Sequence, residues 1–309
     1  MGPGERAFED ATKFLVGNML DSVTKKLEIG LLYGQMGYGV VTNNETAASN
    51  VVIELTAAEF APGIWAGATN MPLDVVRSGS LVPTLSGVNA ITVKSVDLTA
   101  KTITCDLAAN LVAGDVLYHK GAFGKEAAGI HKILANTGSL FGIDAATYDL
   151  WKGSSFAPGT TSVLSFAIVQ QAISKGVEKG LDSDVMVLVN PGHWDDLLTE
   201  QAALRMMDSS YKPAQAENGA QTIKFHSQNG MVEIVPSIYC KEGYAYIIAA
   251  EDWVRIGSTD VTFKRPGKEG EFFLDLPEYA GYELRCYSDQ AIFCAKPGRS
   301  VIISNLKVS

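Results

Sequence analysis

Apolar residues recur every third or fourth position in some stretches of this chain and every second position in others, and the two periods predict different elements. Between Phe8 and Leu32, Leu15, Met19, Val23, Leu27 and Leu31 stand four apart. That spacing predicts a helix with one packed side, after a flexible start at Met1 to Glu5. The most informative run is Thr161 to Leu198. Leu164, Ala167, Ile168, Ala172, Ile173 and Val177 fall at helical spacing, with Gln170, Gln171, Ser174, Lys175, Glu178 and Lys179 opposite, so one long amphipathic helix is predicted over about 162–180. Thr161 and Ser162 can accept its first free amides, and Gly180 can close its end in a left-handed conformation. Val185 to Val189 is an unbroken apolar run rich in β-branched residues, which reads as a buried strand. Asn190-Pro191-Gly192 then turns the chain into another helix, His193 to Met207.

Alternation marks the rest. Asn43 to Asn50 is polar and turn-rich, Val51 to Leu55 is a short strand, and Ala61 to Gly67 and Asn70 to Pro72 interrupt regular structure. From Asn89 to His119 the chain reads as a hairpin around Thr99-Ala100 and a third strand entered through Gly114-Asp115. Ala127 to Leu134 continues as a short helix, and Asp208 to Glu217 is a loop. Asn229-Gly230 is flanked by alternating residues and predicts a type I′ hairpin. Further strands are expected at Tyr244 to Ala250, Trp253 to Lys264 and Glu271 to Leu276, with two more on either side of Lys296-Pro297-Gly298.

At 309 residues there is room for two lobes and a sizeable core. Charged residues are 19 % of the chain and glycines number 30, which suits a β-rich protein that buries surface against copies of itself. The net charge of −9 argues against a main task of gripping nucleic-acid phosphates, which needs clustered Lys and Arg. Cys105, Cys240, Cys286 and Cys294 form no CxxC pair and read as reduced, mostly buried thiols. No stretch has the length of a membrane helix and no signal-peptide pattern opens the chain, so synthesis in the cytoplasm is expected.

No catalytic constellation assembles from the sequence. Tyr33 to Gly39 follows a helix instead of preceding one and lacks a P-loop lysine. Gly121-Ala-Phe-Gly-Lys-Glu126 has two residues between its glycines where a P-loop has four, and Glu follows its lysine. His119 and His131 are twelve apart, which favours core or surface histidines over a metal loop. His193 with Asp195 and Asp196 resembles a base with orienting acids, but carboxylates there more simply favour the positive end of the helix dipole. Asp144, Asp149 and Glu126 lack the dense Asp-x-Asp spacing of a cation loop. Catalytic, cofactor-binding and metal residues are therefore assigned to none, and the chain is read as a non-enzyme without cofactors. Trp65 is either a lid on the local core or an anchor for a neighbouring subunit. With Met71, Tyr211 and Trp253 it makes up the candidate subunit-interface residues.

Four segments carry a family resemblance: LEIGLLYGQMGYG from Leu27, GAFGKEAAGIHKIL with LFGIDAATYDLWKG, the Thr161 to Leu198 run, and YELRCYSDQAIFCAKPGRSVIIS from Tyr282. In this order they are similar to segments of tailed-bacteriophage major capsid proteins with the HK97-type fold, over about two thirds of the chain. The resemblance implies an α+β, HK97-like capsid fold with a long spine helix, peripheral and axial domains, an extended E-loop and an inserted β-module. It implies an N-terminal arm and helix at 1–44 and an E-loop region with a β-rich insertion at 45–120. A peripheral domain at 121–185, an axial domain at 186–275 and returning C-terminal strands at 276–309 would follow. A scaffold-like N-terminal extension is expected to be absent or removed, since the chain begins close to the first matched segment. The implied function is self-assembly into pentamers and hexamers of an icosahedral head enclosing double-stranded DNA, in the virion, after assembly in the host cytoplasm. Implied partners are copies of the chain, portal and scaffolding proteins, non-specifically held DNA and a decoration protein, with no membrane. Two rivals stand beside it: an encapsulin-type nanocompartment shell, and a soluble α+β enzyme with an unrecognised site.

Overall fold

A computed structural model describes residues 3–47, 50–80, 82–86, 90–106, 111–207, 223–264, 273–276, 278 and 282–309. The architecture is mixed, with few helices and many strands among these residues. Helix α1 (Pro3–Tyr33) is the longest element, and it starts within the segment expected to be flexible. Its predicted stripe is not its buried face. Leu15 is more than half exposed, whereas Ile29, Leu32 and Tyr33 at the far end are buried. A strict four-residue spacing drifts about 40° per step around a helix of 3.6 residues per turn, so the stripe winds off one face. At the helix end the backbone crosses that of a later segment: a Cβ on Gly34 would lie 2.1 Å from the Ala127 carbonyl oxygen, and one on Gly129 would lie 2.6 Å from the Gly34 nitrogen. Only glycine admits that crossing.

The chain then closes a barrel. Strands β1 (Gly39–Ala47), β2 (Asn50–Leu55), β3 (Pro72–Val76), β4 (Ile91–Asp97), β5 (Thr102–Asp106) and β6 (Val116–His119) pair in the order β1-β2-β5-β4-β3-β6. β1 meets β6 through Gly39–Leu117 and Val40–Val116. Period-two alternation turns Val51, Ile53 and Leu55, Ile91 and Val93, and Ile103 and Cys105 inward. Trp65, from the one-turn helix α2 (Pro62–Trp65), joins the same core. Sequence reading found the β4–β5 hairpin and β6, but it took Asn43 to Asn50 as a turn-rich stretch and Pro72 as a breaker. The described residues of both lie in strands, because β1 faces water along one side and Pro72 opens its strand, where no amide is required. At 45–120, where the resemblance implies an E-loop region with a β-rich insertion, the described strands all belong to this barrel.

Beyond α3 (Ile130–Leu134), the short hairpin β7 (Ser139–Leu140) and β8 (Ile143–Asp144) precedes β9 (Ser154–Phe156). The amphipathic helix expected over about 162–180 is α4 (Phe166–Val177), 12 residues and shorter than predicted. Ser165 caps it by accepting the Ile168 amide, in place of Thr161 and Ser162, and Ser162 bridges to Leu306. Gly180 closes it at positive φ, with Leu181 N–H bonding the Gly176 carbonyl and Gly180 N–H that of Val177, a Schellman end. Strand β10 (Val185–Val189) and helix α5 (Pro191–Met207) follow as expected.

β10 lies inside a six-stranded sheet with β11 (Ile223–Ser227), β12 (Gly230–Pro236), β13 (Ala245–Ile248), β9 and, last in the chain, β18 (Val301–Ile303), in the order β11-β12-β10-β13-β18-β9. The central strands β10, β13 and β18 are covered on both faces, which is why they read as unbroken apolar runs. Val187, Ile247, Val301 and Ile303 pack with α4 and α5, while Leu188, Tyr246, Ile248 and Ile302 pack toward α1 and the barrel. The predicted β11–β12 hairpin forms, but its turn residues are Gln228 and Asn229, and Gly230 alone has positive φ. Asn229 Nδ2 is held by the Ser183 carbonyl, which moves the turn one residue back from a type I′ geometry. Between β13 and β18 the chain leaves the sheet as β14 (Trp253–Thr262), β15 (Phe273–Asp275), β16 (Tyr282–Leu284) and β17 (Tyr287–Cys294), with β14 paired to β17 and β15 to β16. Among the described residues this ribbon is the limb-like element.

Candidate functional site

The densest titratable cluster is a buried joint where α1, the barrel, α3 and the sheet meet. Lys241 is almost fully buried, yet its Nζ lies 2.6 Å from Glu59 Oε2 and 3.2 Å from the Gly37 carbonyl, and 4.5 Å from the Tyr33 ring centre. Tyr244 donates its hydroxyl to Glu59 Oε1 at 2.7 Å, and the Lys241 amide donates to Tyr33 Oη at 2.8 Å. His131 Nδ1 is 2.8 Å from Tyr246 Oη, and its ring meets Tyr244 edge-on at 4.7 Å. Burial, and then the Lys241 charge, push the imidazole down to about 4, so it is neutral at pH 7. Burial alone would raise the Glu59 carboxyl, but Lys241 and the bond from Tyr244 outweigh it and hold it below the usual range. Burial raises the Cys240 thiol to about 12. Every polar group here points at another part of the same chain, so the chemistry of the joint is fastening.

The other residues weighed from sequence do not form an active site. His193 and Asp196 do come together, with Nδ1 and Oδ2 at 3.7 Å, but both are buried and His193 Nε2 is bound by the Glu242 carbonyl at 2.7 Å. Glu126 holds Gln35 N and Tyr38 Oη, Asp144 caps its own turn, and Asp149 pairs with Lys152 and Lys179. Among the described residues no three His, Cys, Asp or Glu side chains gather as metal ligands. The four cysteines are free, and three are buried. No helix among the described residues is long and apolar enough to cross a membrane.

The interface candidates fare differently. Trp65 is fully enclosed in the barrel core, so of its two readings the structure shows the lid, and its place as an outward anchor is corrected. Met71 is half-buried against that core. Trp253 is half-buried, with its Nε1 donating to Ser300 Oγ at 3.1 Å. Tyr211 lies outside the described residues.

Sequence reading missed the residues that do face outward. Phe14 and Leu15 on α1 are more than half exposed, as are Phe141, Tyr148 and Leu150 around the β7–β8 hairpin and Val254 and Ile256 on the ribbon. The latter two groups adjoin: the Phe293 ring, paired across the ribbon with Val254, lies 5.4 Å from Phe141 and 6.1 Å from Trp151. Beside them opens a cleft of about 750 Å³ lined by Ile143, Tyr148, Leu150, Trp151, Lys179 and Arg299. Arg299 is itself buried among Asp182, Glu251 and Asp252. A signal for this surface exists in Phe141-Gly142, set between Leu140 and Ile143, where a turn needs small residues and a large one stands.

No family model and no curated protein matches the chain. Among solved structures it is similar to the cyanophage A-1(L) capsid asymmetric unit, at 12 % identity and a TM-score of 0.43, over 58 % of this chain and 60 % of that one. The match thus spans about three fifths of the neighbour's length.

Proposed function

We propose that the chain is a major capsid protein, a non-enzymatic shell subunit that closes into pentamers and hexamers of an icosahedral phage head around double-stranded DNA. The observation that carries this reading is the distribution of apolar surface. Large side chains stand exposed on α1, around the β7–β8 hairpin and on the β14–β17 ribbon, whereas the polar cluster is largely buried. Contiguous exposed apolar surface marks an interaction site. The ordered resemblance of four segments to tailed-phage capsid proteins supports the same reading. In it, the sheet with α4 acts as a stiff plate, while α1 and the ribbon reach onto neighbours by head-to-tail contacts that close only at the right rotation. Portal and scaffolding proteins are the partners proposed for such a shell, with a decoration protein as an optional addition. The net charge of −9 suits a wall that holds DNA without gripping it.

Sedimentation and negative-stain microscopy of the purified full chain across a concentration series test this. Closed particles holding nuclease-resistant DNA are the expected outcome. A protein cargo in place of DNA would move the assignment to an encapsulin-type shell, and a chain that stays monomeric at high concentration would overturn both.

A further inference from the structure

The β7–β8 hairpin joins Leu140 to Ile143 through two residues, Phe141 and Gly142, with φ of 52° and 79°. Two consecutive positive φ values are those of a type I′ turn, which Asn, Asp and Gly adopt readily and a bulky side chain does not. Phe141 holds this disfavoured conformation with its ring about half in solvent. The hairpin is fastened from below by the Trp151 indole, which donates to the Leu140 carbonyl at 2.9 Å. Asparagine at this position would make the same turn without strain, so the fold does not need the ring. A strained, outward-held side chain at a surface is a sign of function.

The ring also does not stand alone. Val254 pairs with Phe293 and Ile256 with Ala291, so these four share one face of the ribbon, and Phe293 touches Phe141. With Tyr148 and Leu150 the exposed part is on the order of 500 Å² of apolar surface, at the upper end for a monomer. A standard interface takes about 800 Å² from each partner, so this patch supplies more than half of one side. The rim is charge-compensated within the chain: Asp149 pairs with Lys152 and Lys179, Arg255 with Asp260 at 3.2 Å, and Arg299 and Lys296 with Asp182, Glu251 and Asp252. A neutral apolar patch on a chain of charge −9 is a place where like copies can meet without repulsion, and it offers anionic lipid or nucleic acid no excess of cations.

We infer that this patch, headed by Phe141, is the docking face for a second copy of the chain, with Phe141 as its anchor. The inference rests on the shell-subunit reading and names one contact by which that shell is built. The ring enters an apolar recess of the neighbour, and the ribbon face with Val254 and Ile256 lies alongside.

Phe141→Asn separates the anchor role from a folding role. Thermal melts of the unassembled full chain should show a midpoint equal to or above that of the wild type, because the turn strain is released. In sedimentation and microscopy the concentration at which particles appear should rise on the order of tenfold or more, as for loss of an interface anchor. An unchanged threshold in a folded Phe141→Asn subunit overturns the inference. Should that variant fold poorly, Val254→Thr with Ile256→Thr decides in its place, since both keep strand propensity while removing apolar surface, and an unchanged threshold again overturns it. Wild-type chain that never assembles removes the shell reading and this inference together, whereas wild-type assembly with unaffected variants removes the inference alone.

Discussion

The joint between barrel and sheet and the face of the β14–β17 ribbon invert the usual arrangement of a globular protein. At the joint a lysine, a histidine and two tyrosines are buried, with a glutamate and a third tyrosine partly so, and each finds its partner on a different element. On the ribbon, valine and isoleucine stand about half in solvent beside their cross-strand partners Phe293 and Ala291. Both arrangements are expensive when left incomplete. The joint is complete within one chain, so it serves the fold. The ribbon leaves half-exposed apolar side chains, which is why we assign it to a contact between copies.

The largest effect should come from breaking the joint at its centre. Lys241→Met leaves the Glu59 carboxylate, largely buried, with Tyr244 as its remaining donor, and removal of one member of a buried pair costs up to about 3–5 kcal/mol. Urea unfolding of the unassembled subunit would measure it. Combining it with Glu59→Leu should restore most of the loss, because matched apolar side chains need no partner. A loss under ~1 kcal/mol in the single variant would mean that water solvates the freed Glu59 carboxylate and that the pair does not fasten the joint.

Acid should act on the same place a little less strongly. His131 titrates near 4 in the folded chain and near 6.5 when unfolded, so below 6.5 the unfolded state takes up a proton that the native state refuses. Stability should therefore be full above that value, decline as the pH falls toward 4, and lose up to about 3 kcal/mol from this group. The groups facing it are Tyr33, Tyr244 and Tyr246, with Lys241, Glu59 and Lys132 acting through their charges. His131→Phe should flatten this part of the curve between pH 6.5 and 4 in urea-midpoint measurements. An unaltered slope would assign the acid sensitivity elsewhere.

What could be read from sequence divides along the same line. Local patterns located α4, β10, α5, the β4–β5 hairpin and the final strands, because each is decided by residues within one turn or one strand of each other. The barrel closure was not legible, since it depends on β1 meeting β6 about 75 residues away, and no local pattern records a pairing. The joint was illegible for the same reason: Tyr33, Glu59, His131 and Lys241 are scattered along the chain. Turn chemistry misled in one place and was overlooked in another. Asn229-Gly230 carries the type I′ signature, yet the Ser183 carbonyl claims the asparagine side chain, whereas Phe141-Gly142 lacks the signature and has the positive φ values. Trp65 was open between core and interface because an aromatic in a Pro-Gly loop fits either, and barrel closure decided it.

The same class of substitution made on sheet and ribbon sharpens the comparison. Ile247→Ala, in a strand covered on both faces, should lose about 2–5 kcal/mol of subunit stability, since it removes buried methylenes and leaves a cavity between the sheet and its helices.

Ile256→Thr on the ribbon is the smallest expected effect. Its side chain is more than half exposed, its cross-strand partner is Ala291, and threonine keeps the β-branch that suits the strand. The subunit should change by no more than ~0.5 kcal/mol, as for a surface site. The test is a urea midpoint that barely moves in the unassembled chain. A loss near that of Ile247→Ala would mean that Ile256 is covered within the subunit, and the ribbon would then belong with the joint as part of the fold, not with the surfaces that await a neighbour.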